Sequence, residues 1–384
     1  SVSGPFLGMG LDGPVGTAQA AEGDEIWTSS VGGVYSSPTV VDGTVYIGSS
    51  DGSIYALDAD TGDVEWSYAT GGPIYGDATV GAGTVYIGSD GGSMYALDAD
   101  TGDLKWSKSA DGGIRESPTL SKGVVHFGTT RGTQYALDAE TGKEHWKKGI
   151  GTYVSSSATV ANGKVYVGSS DGNLYALDAE DGSVEWKSLT GGEIQSSPTI
   201  DNGSVFVGSN DQNVYAFDSD TGDEQWNFST GSTVRTSPTV KNGTVYIGSN
   251  GYLYAVDTDT GSQEWSNFIN APLRASPTVA GGTVYIGADS TENDAYAIDD
   301  DTGNTQWKVY TGDRVYQSSP IVKDGTLYIG TYEGNLKAYD TGGSATSSGS
   351  RNRLHTLGHV GEVFSKFADD RIESTVIVRD ETEN

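Results

Sequence analysis

SSPTVVDGTVYIGSSDGSIYALDADTGDVEW, from Ser36 to Trp66, decides the fold of this chain, because it recurs seven more times with small changes. Another copy, SSPTIDNGSVFVGSNDQNVYAFDSDTGDEQW, runs from Ser196 to Trp226. The tryptophans all belong to this pattern: Trp27, Trp66, Trp106, Trp146, Trp186, Trp226, Trp265 and Trp307. They follow one another at intervals of 39–42 residues, and a fixed period of this size indicates a repeat architecture.

Each copy of the repeat predicts four short strands. In the first copy these are residues 37–41, 44–48, 54–58 and 64–68, separated by Asp-Gly turns and by Asp-Ala-Asp-Thr-Gly. The second strand is apolar on both faces, which is typical of a sheet packed between two other sheets. Four-stranded units that repeat radially and pack only on their neighbours form a β-propeller.

The number of units follows from an alanine in the third strand. It recurs at Ala56, Ala96, Ala136, Ala176, Ala216, Ala255, Ala297 and Ala338. The first seven are followed ten residues later by a tryptophan, whereas Ala338 is not, and Trp27 has no strands before it. We therefore expect residues 24–30 to complete the last blade. The predicted fold is all-β, an eight-bladed β-propeller of four-stranded blades, closed by an N-terminal strand.

The pattern Ala-x-Asp-x-x-x-Gly-x-x-x-Trp, first seen at Ala56, Asp58, Gly62 and Trp66, resembles the tryptophan-docking motif of PQQ-type propeller repeats. The resemblance covers residues 24–340. The superfamily includes quinoprotein alcohol dehydrogenases and a non-enzymatic lipoprotein of the bacterial outer-membrane assembly machinery. The resemblance implies that the eight tryptophans are structural and pack against small residues of a neighbouring blade, where a buried indole contributes a large apolar area.

The same resemblance raises the alternative of a PQQ-dependent dehydrogenase. Such enzymes hold the quinone between a tryptophan floor and a disulfide of adjacent cysteines, with calcium nearby. This chain has no cysteine, and all of its tryptophans stand at docking positions. Tyr35 or Tyr75 remains as a stacking surface, so PQQ and calcium are kept as alternatives. The residues themselves predict no cofactor.

The charge of the chain limits its partners. It contains 52 acidic and 22 basic residues, for a formal net charge of −30. Such a surface repels nucleic acid and anionic membranes, so we expect no nucleic-acid partner and at most peripheral membrane contact. An aspartate-rich, lysine-poor surface is expected of a protein kept soluble in strong brine, and ordinary acidic solubility is the alternative. We expect a monomer.

The two ends of the chain depart from the repeat. Residues 1–20 end in Ala-Gln-Ala, which resembles the cleavage site of an export signal, with a flexible extension as the alternative. Residues 341–350 form a Gly/Ser linker to a tail, residues 351–384, to which the sequence assigns no role. Asn202, Asn227 and Asn242 begin glycosylation sequons. These features predict an exported protein, extracellular or on the cell surface.

The repeats disagree at one position, just before the Ser-Pro-Thr of the first strand. It holds Tyr35, Tyr75, Arg115, Ser155, Gln195, Arg235, Arg274 and, after an insertion, Tyr316 and Gln317. The connection between blades lies on the same face as the turn between the second and third strands, here called the top face. Blade packing does not explain this dissimilar ring. It predicts a binding site in the central funnel, formed by Tyr35, Tyr75, Arg115, Gln195, Arg235, Arg274, Tyr316 and Gln317.

Arginines are concentrated in the same connections. The propeller contains Arg115, Arg131, Arg235, Arg274 and Arg314, all in top-face connections. On a chain of this charge they predict a site for a carboxylate, a phosphate or an acidic partner group. The alternative is that they pair with local acids and only neutralise the mouth. The acids considered are Asp77, Asp111, Glu116, Glu193 and Asp313.

Metal binding and catalysis find little support in the sequence. Residues 58–63 resemble a calcium loop, but their pattern favours a hydrogen-bonded turn in which Asp58 caps backbone amides. Asp289, Glu292 and Asp294 are a weak calcium candidate in an inserted loop. His126 occupies a strand position filled by tyrosine in the first copy, and no catalytic residue is predicted.

These observations favour a non-catalytic, exported binding or scaffold propeller that recognises an anionic small molecule or a protein segment at its top-face funnel. The alternatives are a PQQ-dependent dehydrogenase and a structural component of a cell-surface or envelope assembly.

Overall fold

The computed structural model describes residues 23–290 and 294–342, which form eight antiparallel sheets. The first strand of each sheet contacts the first strand of the next, and the last sheet contacts the first, so the sheets are the blades of a closed ring. The eight-bladed propeller predicted from the sequence is confirmed. The described residues contain no helix that is long and apolar enough to cross a membrane.

The strands are numbered in chain order, beginning with β1 (Glu25–Ser30). Blade 1 contains β2 (Thr39–Val41), β3 (Thr44–Gly48), β4 (Ser53–Asp58) and β5 (Val64–Ala69). Blade 2 contains β6 (Thr79–Gly81), β7 (Thr84–Ser89), β8 (Ser93–Asp98) and β9 (Leu104–Ser109). Blade 3 contains β10 (Thr119–Ser121), β11 (Val124–Gly128), β12 (Thr133–Asp138) and β13 (Glu144–Gly149). Blade 4 contains β14 (Thr159–Ala161), β15 (Lys164–Gly168), β16 (Asn173–Asp178) and β17 (Val184–Leu189).

Blade 5 contains β18 (Thr199–Asp201), β19 (Ser204–Gly208), β20 (Asn213–Asp218) and β21 (Glu224–Ser229). Blade 6 contains β22 (Thr239–Lys241), β23 (Thr244–Asp257) and β24 (Gln263–Pro272). Blade 7 contains β25 (Thr278–Ala280), β26 (Thr283–Gly287), β27 (Asp294–Asp299) and β28 (Thr305–Tyr310). Blade 8 contains β29 (Ile321–Lys323), β30 (Thr326–Gly330), β31 (Asn335–Asp340) and, from the other end of the chain, β1.

Blade 6 departs from the predicted four strands. Its turn between the second and third strands is one residue shorter than in blade 1, and β23 runs through both positions as one strand. This strand folds back on itself, because the amide of Thr258 donates to the carbonyl of Gly243 at 2.8 Å. Blade 6 is therefore a sheet of three strands, in which β23 occupies the positions of the second and third strands of the other blades.

Each tryptophan in a fourth strand contacts the following blade. The indole N–H of Trp66 donates to the carbonyl of Ala99 at 3.0 Å, and its ring lies against Gly102. The same indole-to-carbonyl bond is made by Trp27, Trp106, Trp146, Trp186, Trp226 and Trp265. These contacts join the outer edge of one blade to the next and bury the interfaces between blades.

The ring is closed by one repeat that is divided between the two ends of the chain. Trp27 lies opposite Ala338 in the antiparallel pair of β1 and β31. The amide of Gly23 donates to the carbonyl of Asp340 at 2.7 Å, as the amide of Gly62 does to Asp58 within blade 1. The docking motif of blade 8 therefore takes its alanine and aspartate from one end and its glycine and tryptophan from the other.

A continuous belt of hydrogen bonds surrounds the axis of the propeller. Its eight members occupy equivalent positions, two residues before the first strand of each blade: Ser37, Asp77, Ser117, Ser157, Ser197, Ser237, Ser276 and Ser319. Each backbone amide donates to a side-chain oxygen of the next member at 2.5–3.1 Å, and Ser319 donates back to Ser37. The belt explains why β2 begins at Thr39, later than predicted, since the amide of Ser37 is used between blades.

Candidate functional site

The funnel at the top face contains a cavity of about 390 Å³. All eight residues predicted for a binding site line it: Tyr35, Tyr75, Arg115, Gln195, Arg235, Arg274, Tyr316 and Gln317. The belt residues line the same cavity. Residues that are about 40 positions apart in sequence are thus brought together because each one enters its blade at the same point.

Tyrosines form one side of the funnel. The ring of Tyr35 lies edge-on to the rings of Tyr75, Tyr316 and Tyr332, with centroids 5.3–5.8 Å apart. Arg274 lies over Tyr316 at 4.9 Å, and such a position favours a cation over the aromatic face. The hydrogen bond with Tyr332 and burial raise the pKa of Tyr35 to about 12, so the phenol of Tyr35 stays neutral at physiological pH.

The arginines of the funnel differ in their partners. Arg115 forms a bidentate salt bridge with Asp90, from Nε to Oδ1 at 2.8 Å and from Nη2 to Oδ2 at 3.1 Å. Arg274 donates from Nε to Asp289 at 3.1 Å. Arg235 bonds only to the amide oxygen of Asn210, at 3.3 Å, and among the described residues it forms no ion pair. Arg235 is therefore the funnel cation whose charge is least compensated.

Arg115, Arg274 and Arg314 pair with local acids, as in the alternative considered, but their partners are not the acids considered there. Asp111 accepts hydrogen bonds from two threonine hydroxyls, and Glu193 accepts one from the side chain of Asn210. Asp313 accepts from the backbone amides of Arg314 and Glu333. The real partners, Asp90 and Asp289, come from the second-to-third-strand turns, which the repeat pattern does not align with the arginines.

A buried carboxyl group, that of Asp77, and a half-buried one, that of Glu116, lie in the funnel. Asp77 is 7% exposed, and its burial raises its pKa to about 7, although hydrogen bonds from Ser37 and Ser117 oppose this change. Burial also raises the pKa of Glu116 to about 8, and the charge of Asp77 adds to the effect. The hydroxyl of Tyr153 donates to Glu116 at 3.0 Å and partly offsets it. Desolvation is the largest cause of both shifts, and the charge of Arg115 also offsets part of the shift of Glu116.

The sequence pattern suggests these carboxyls only as partners for arginine. It does not predict that Tyr153 and Tyr332 lie in the funnel. A signal for the carboxyls was present: Asp77 stands where seven other repeats have serine, and Glu116 stands where Ser36 stands in the first repeat. Tyr153 and Tyr332 stand at positions where the repeats vary in sequence, and no pattern there distinguishes them from the residues of the other blades.

The acidic loops show no metal site in the described part of the chain. No cluster of three or more histidine and acidic side chains is placed to hold a metal ion there. Oδ1 of Asp58 accepts from the amides of Asp60 and Thr61, which confirms the predicted capping turn. Asp289 pairs with arginine and Asp294 pairs with Lys308 at 2.7 Å, while Glu292 lies outside the described residues.

Other predicted features lie away from the funnel. His126 is 2% exposed and packs against Trp146, so it is a core residue. Asn202, Asn227 and Asn242 are all exposed on blades 5 and 6. The predictions for residues 1–20 and 351–384 lie outside the described residues, as does the linker beyond residue 342.

Comparison with known proteins agrees with the fold. A family model described as "Outer membrane protein assembly factor BamB" matches residues 12–76, 69–152, 130–241 and 229–378, and the chain belongs to this family. BamB from Moraxella catarrhalis is similar in structure, with a TM-score of 0.72, 19% identity, and coverage of 83% of this chain and 99% of that one. No curated protein sequence matches the chain.

Two further solved structures show the same fold. The computationally designed Ika8 protein aligns with a TM-score of 0.74 and 18% identity over 82% of this chain and 98% of its own. Quinohemoprotein alcohol dehydrogenase from Comamonas testosteroni aligns with a TM-score of 0.70 and 18% identity over 87% of this chain and 78% of its own. At these identities the likeness extends to the architecture alone.

The described funnel does not fit a bound quinone. Its tyrosine rings meet edge-on at 71–85°, so Tyr35 and its neighbours leave no pair of parallel aromatic faces between which a quinone would stack. The chain has no cysteine to supply a disulfide, and seven of the indoles are engaged at blade interfaces. We therefore derive no redox step for this funnel.

Proposed function

We propose that this chain is an exported, non-catalytic binding propeller whose top-face funnel recognises an anionic group on a small molecule or a protein segment. The observation that carries the proposal is Arg235, an exposed guanidinium on the cavity wall with only an amide oxygen as its polar partner. A guanidinium prefers a planar, doubly hydrogen-bonding partner such as a carboxylate or a phosphate. Arg274 lies in the next blade and lines the same cavity.

Membership of a family described as an outer membrane protein assembly factor supports two parts of this proposal, a protein partner and a location outside the cytoplasm. It also favours the alternative in which the chain is a structural component of an envelope assembly. Export has an independent test, since a glycan found by mass spectrometry at the exposed Asn202, Asn227 or Asn242 of native protein would support it.

The binding proposal is tested by calorimetric titration with citrate, inorganic phosphate and a hexaglutamate peptide. The double variant Arg235→Gln/Arg274→Gln should lose at least about tenfold in affinity for the anions that bind, as expected for a lost charge-assisted contact. Arg131→Gln is the matched control, because Arg131 is exposed in a top-face turn and does not line the cavity. Equal losses in both variants, or no binding of any probe, would refute the proposal.

A further inference from the structure

Two carboxyl groups and two arginines of the funnel lie on opposite sides of it. Asp77 and Glu116 belong to blades 2 and 3, whereas Arg235 and Arg274 belong to blades 6 and 7, and all four line one cavity. In a closed ring of eight blades, blade 2 lies opposite blade 6, and blade 3 lies opposite blade 7. Asp77 and Glu116 therefore each have an arginine across the axis of the cavity, while Arg115, the sequence neighbour of Glu116, is paired with Asp90.

The two sides also differ in depth. Asp77 is a member of the belt and Glu116 comes one residue before it, whereas Arg235 and Arg274 each stand two residues before the belt serine of their blade. Asp77 is 7% exposed, while Arg235 is exposed. The negative side thus lies at the floor of the funnel, and the positive side lies nearer its mouth.

We propose that the funnel binds a small zwitterion, with its ammonium group against Asp77 and Glu116 and its carboxylate or phosphate against Arg235 and Arg274. This inference rests on the proposed function, because the arginine side is the anion site described above. It adds a second, cationic group to the ligand and fixes the direction in which the ligand lies.

An anion alone suits only half of the cavity. A carboxylate that fills it would come close to Asp77 and Glu116, where like charges repel and the surrounding protein screens them poorly. An ammonium group instead supplies a positive charge next to both carboxyls, since Arg115 beside Glu116 is already paired with Asp90, and its three N–H donors match carboxylate and serine hydroxyl acceptors. Burial raises the pKa of both carboxyls, so their ionised forms are disfavoured in the empty funnel, and an ammonium group beside them would favour ionisation.

The size of the site suits a small molecule. A cavity of about 390 Å³ is within the range of sites that bury small ligands, roughly 300–1,000 Å³. A bare metal ion is a poorer occupant, because no cluster of three or more acidic or histidine ligands occurs among the described residues. The serines of the belt add hydroxyl groups around the floor, which serve a polar ligand better than an apolar one.

The test uses probes that carry one charge or both. Glycine, 4-aminobutanoate, 6-aminohexanoate and 8-aminooctanoate vary the distance between ammonium and carboxylate, and hexanoate and hexylammonium each carry one of the two groups. Calorimetry on the full chain should show at least one amino acid binding about tenfold more tightly than hexanoate and than hexylammonium. The variant Asp77→Asn/Glu116→Gln should reduce that amino acid to the affinity of hexanoate, and Arg235→Gln/Arg274→Gln should reduce it to that of hexylammonium.

The outcomes separate this inference from the proposed function. If hexanoate binds as tightly as every amino acid, the anion site stands and the zwitterion is refuted. If hexylammonium alone binds, or no probe binds, both proposals fail. Asp77→Ser is a second variant in case the double variant does not fold, because it restores the residue found at the other seven positions of the belt. It should lower amino acid binding and leave hexanoate binding unchanged.

Discussion

The backbone amide of Ser37 donates a hydrogen bond to Oδ1 of Asp77 at 2.5 Å, and this is the one link of the belt that ends on a carboxylate. The amide of Asp77 continues the belt to the hydroxyl of Ser117 at 2.8 Å. Asp77 therefore serves the fold with its backbone and one oxygen while it places a buried charge in the funnel. Because Asp77 belongs both to the belt and to the funnel, ionisation of its carboxyl group should change the stability of the propeller.

Replacement of Asp77 by serine should stabilise the protein at pH 8 and have little effect at pH 4. The pKa of Asp77 is raised from 3.8 to about 7 in the folded protein, so its ionised form is the disfavoured one. The wild type should thus lose stability as the pH rises from about 4 to about 7, by at most on the order of 4 kcal/mol, and Asp77→Ser should not.

Urea denaturation at the two pH values measures this difference. Gly43→Ala is the control, since it changes no ionisable group and should give the same change in stability at both pH values. A gain for Asp77→Ser that is as large at pH 4 as at pH 8 would contradict the prediction.

Replacement of His126 by tyrosine should stabilise the protein by about 1–2 kcal/mol, by filling space and adding a hydrogen bond. Nδ1 of His126 is buried without a hydrogen-bond partner, beside a cavity of about 410 Å³ lined in part by Ala179. The equivalent Tyr46 donates from its hydroxyl to the carbonyl of Ala99 at 3.2 Å. A tyrosine at position 126 would reach the equivalent carbonyl, that of Ala179.

Thermal or urea unfolding at pH 7 provides the measurement. Phe206→Tyr is the matched control, because Phe206 holds the same position in blade 5 and is already fully buried. That change adds a hydroxyl without filling a cavity, so it should stabilise less. A loss of stability for His126→Tyr would show that the space beside the histidine is not available to a larger ring.

Two glycines allow the docking of tryptophan to be measured separately from backbone strain. Gly62 and Gly43 both have positive φ, at 75° and 86°. A Cβ on Gly62 would lie 2.6 Å from the ring of Trp27, whereas a Cβ on Gly43 would meet nothing within 4 Å. Both alanine variants carry the strain of a left-handed residue, about 1 kcal/mol, but only Gly62→Ala also displaces the indole.

We therefore expect Gly62→Ala to lower the free energy of unfolding by about 2 kcal/mol more than Gly43→Ala, as is typical when a packed interface is overfilled. Parallel urea denaturation curves of the two variants give this difference. Equal losses would mean that the indole moves aside without cost and that its docking contributes little to stability.

Replacement of Tyr153 by phenylalanine should raise the pKa of Glu116 above its value of about 8. The hydroxyl of Tyr153 donates to Oε1 of Glu116 and so stabilises the ionised carboxylate. Without this donor, less stabilises the ionised carboxylate against the effect of burial, so the pKa of Glu116 rises further. The measurement is a carbon-13 NMR titration of glutamate carboxyls, with Glu116→Gln to assign the signal, and an unchanged or lower pKa would contradict the prediction.

The repeat pattern was sufficient to predict the ring and its closure. The position of Trp27 and the absence of a tryptophan after Ala338 indicated that the ends meet, because the spacing of docking residues is set by blade packing. The pattern did not predict the continuous strand Thr244–Asp257. There the turn is one residue shorter, and whether a shortened turn breaks or continues a strand depends on local backbone geometry.

The sequence predicts which residues line the funnel, but it does not predict which of their side chains contact one another. Tyr35 and Arg235 were identified because they interrupt a regular pattern, and the fold places such positions on one ring. The partner of Arg115 was not identified, since Asp90 reaches it from the turn of another strand pair. Ion pairs depend on side-chain reach across blades, which the repeat does not encode.

The division of blade 8 between the two chain ends has a mechanical consequence. Glu25 pairs with Tyr339, so the start of β1 lies beside the end of β31, and the described chain enters and leaves the disc at one point of its rim. A pulling force between Gly23 and Gly342 would act across these hydrogen bonds one after another, peeling β1 away rather than sliding it along its partner. Resistance to such a force would come mainly from the Trp27 indole, which is held by blade 1.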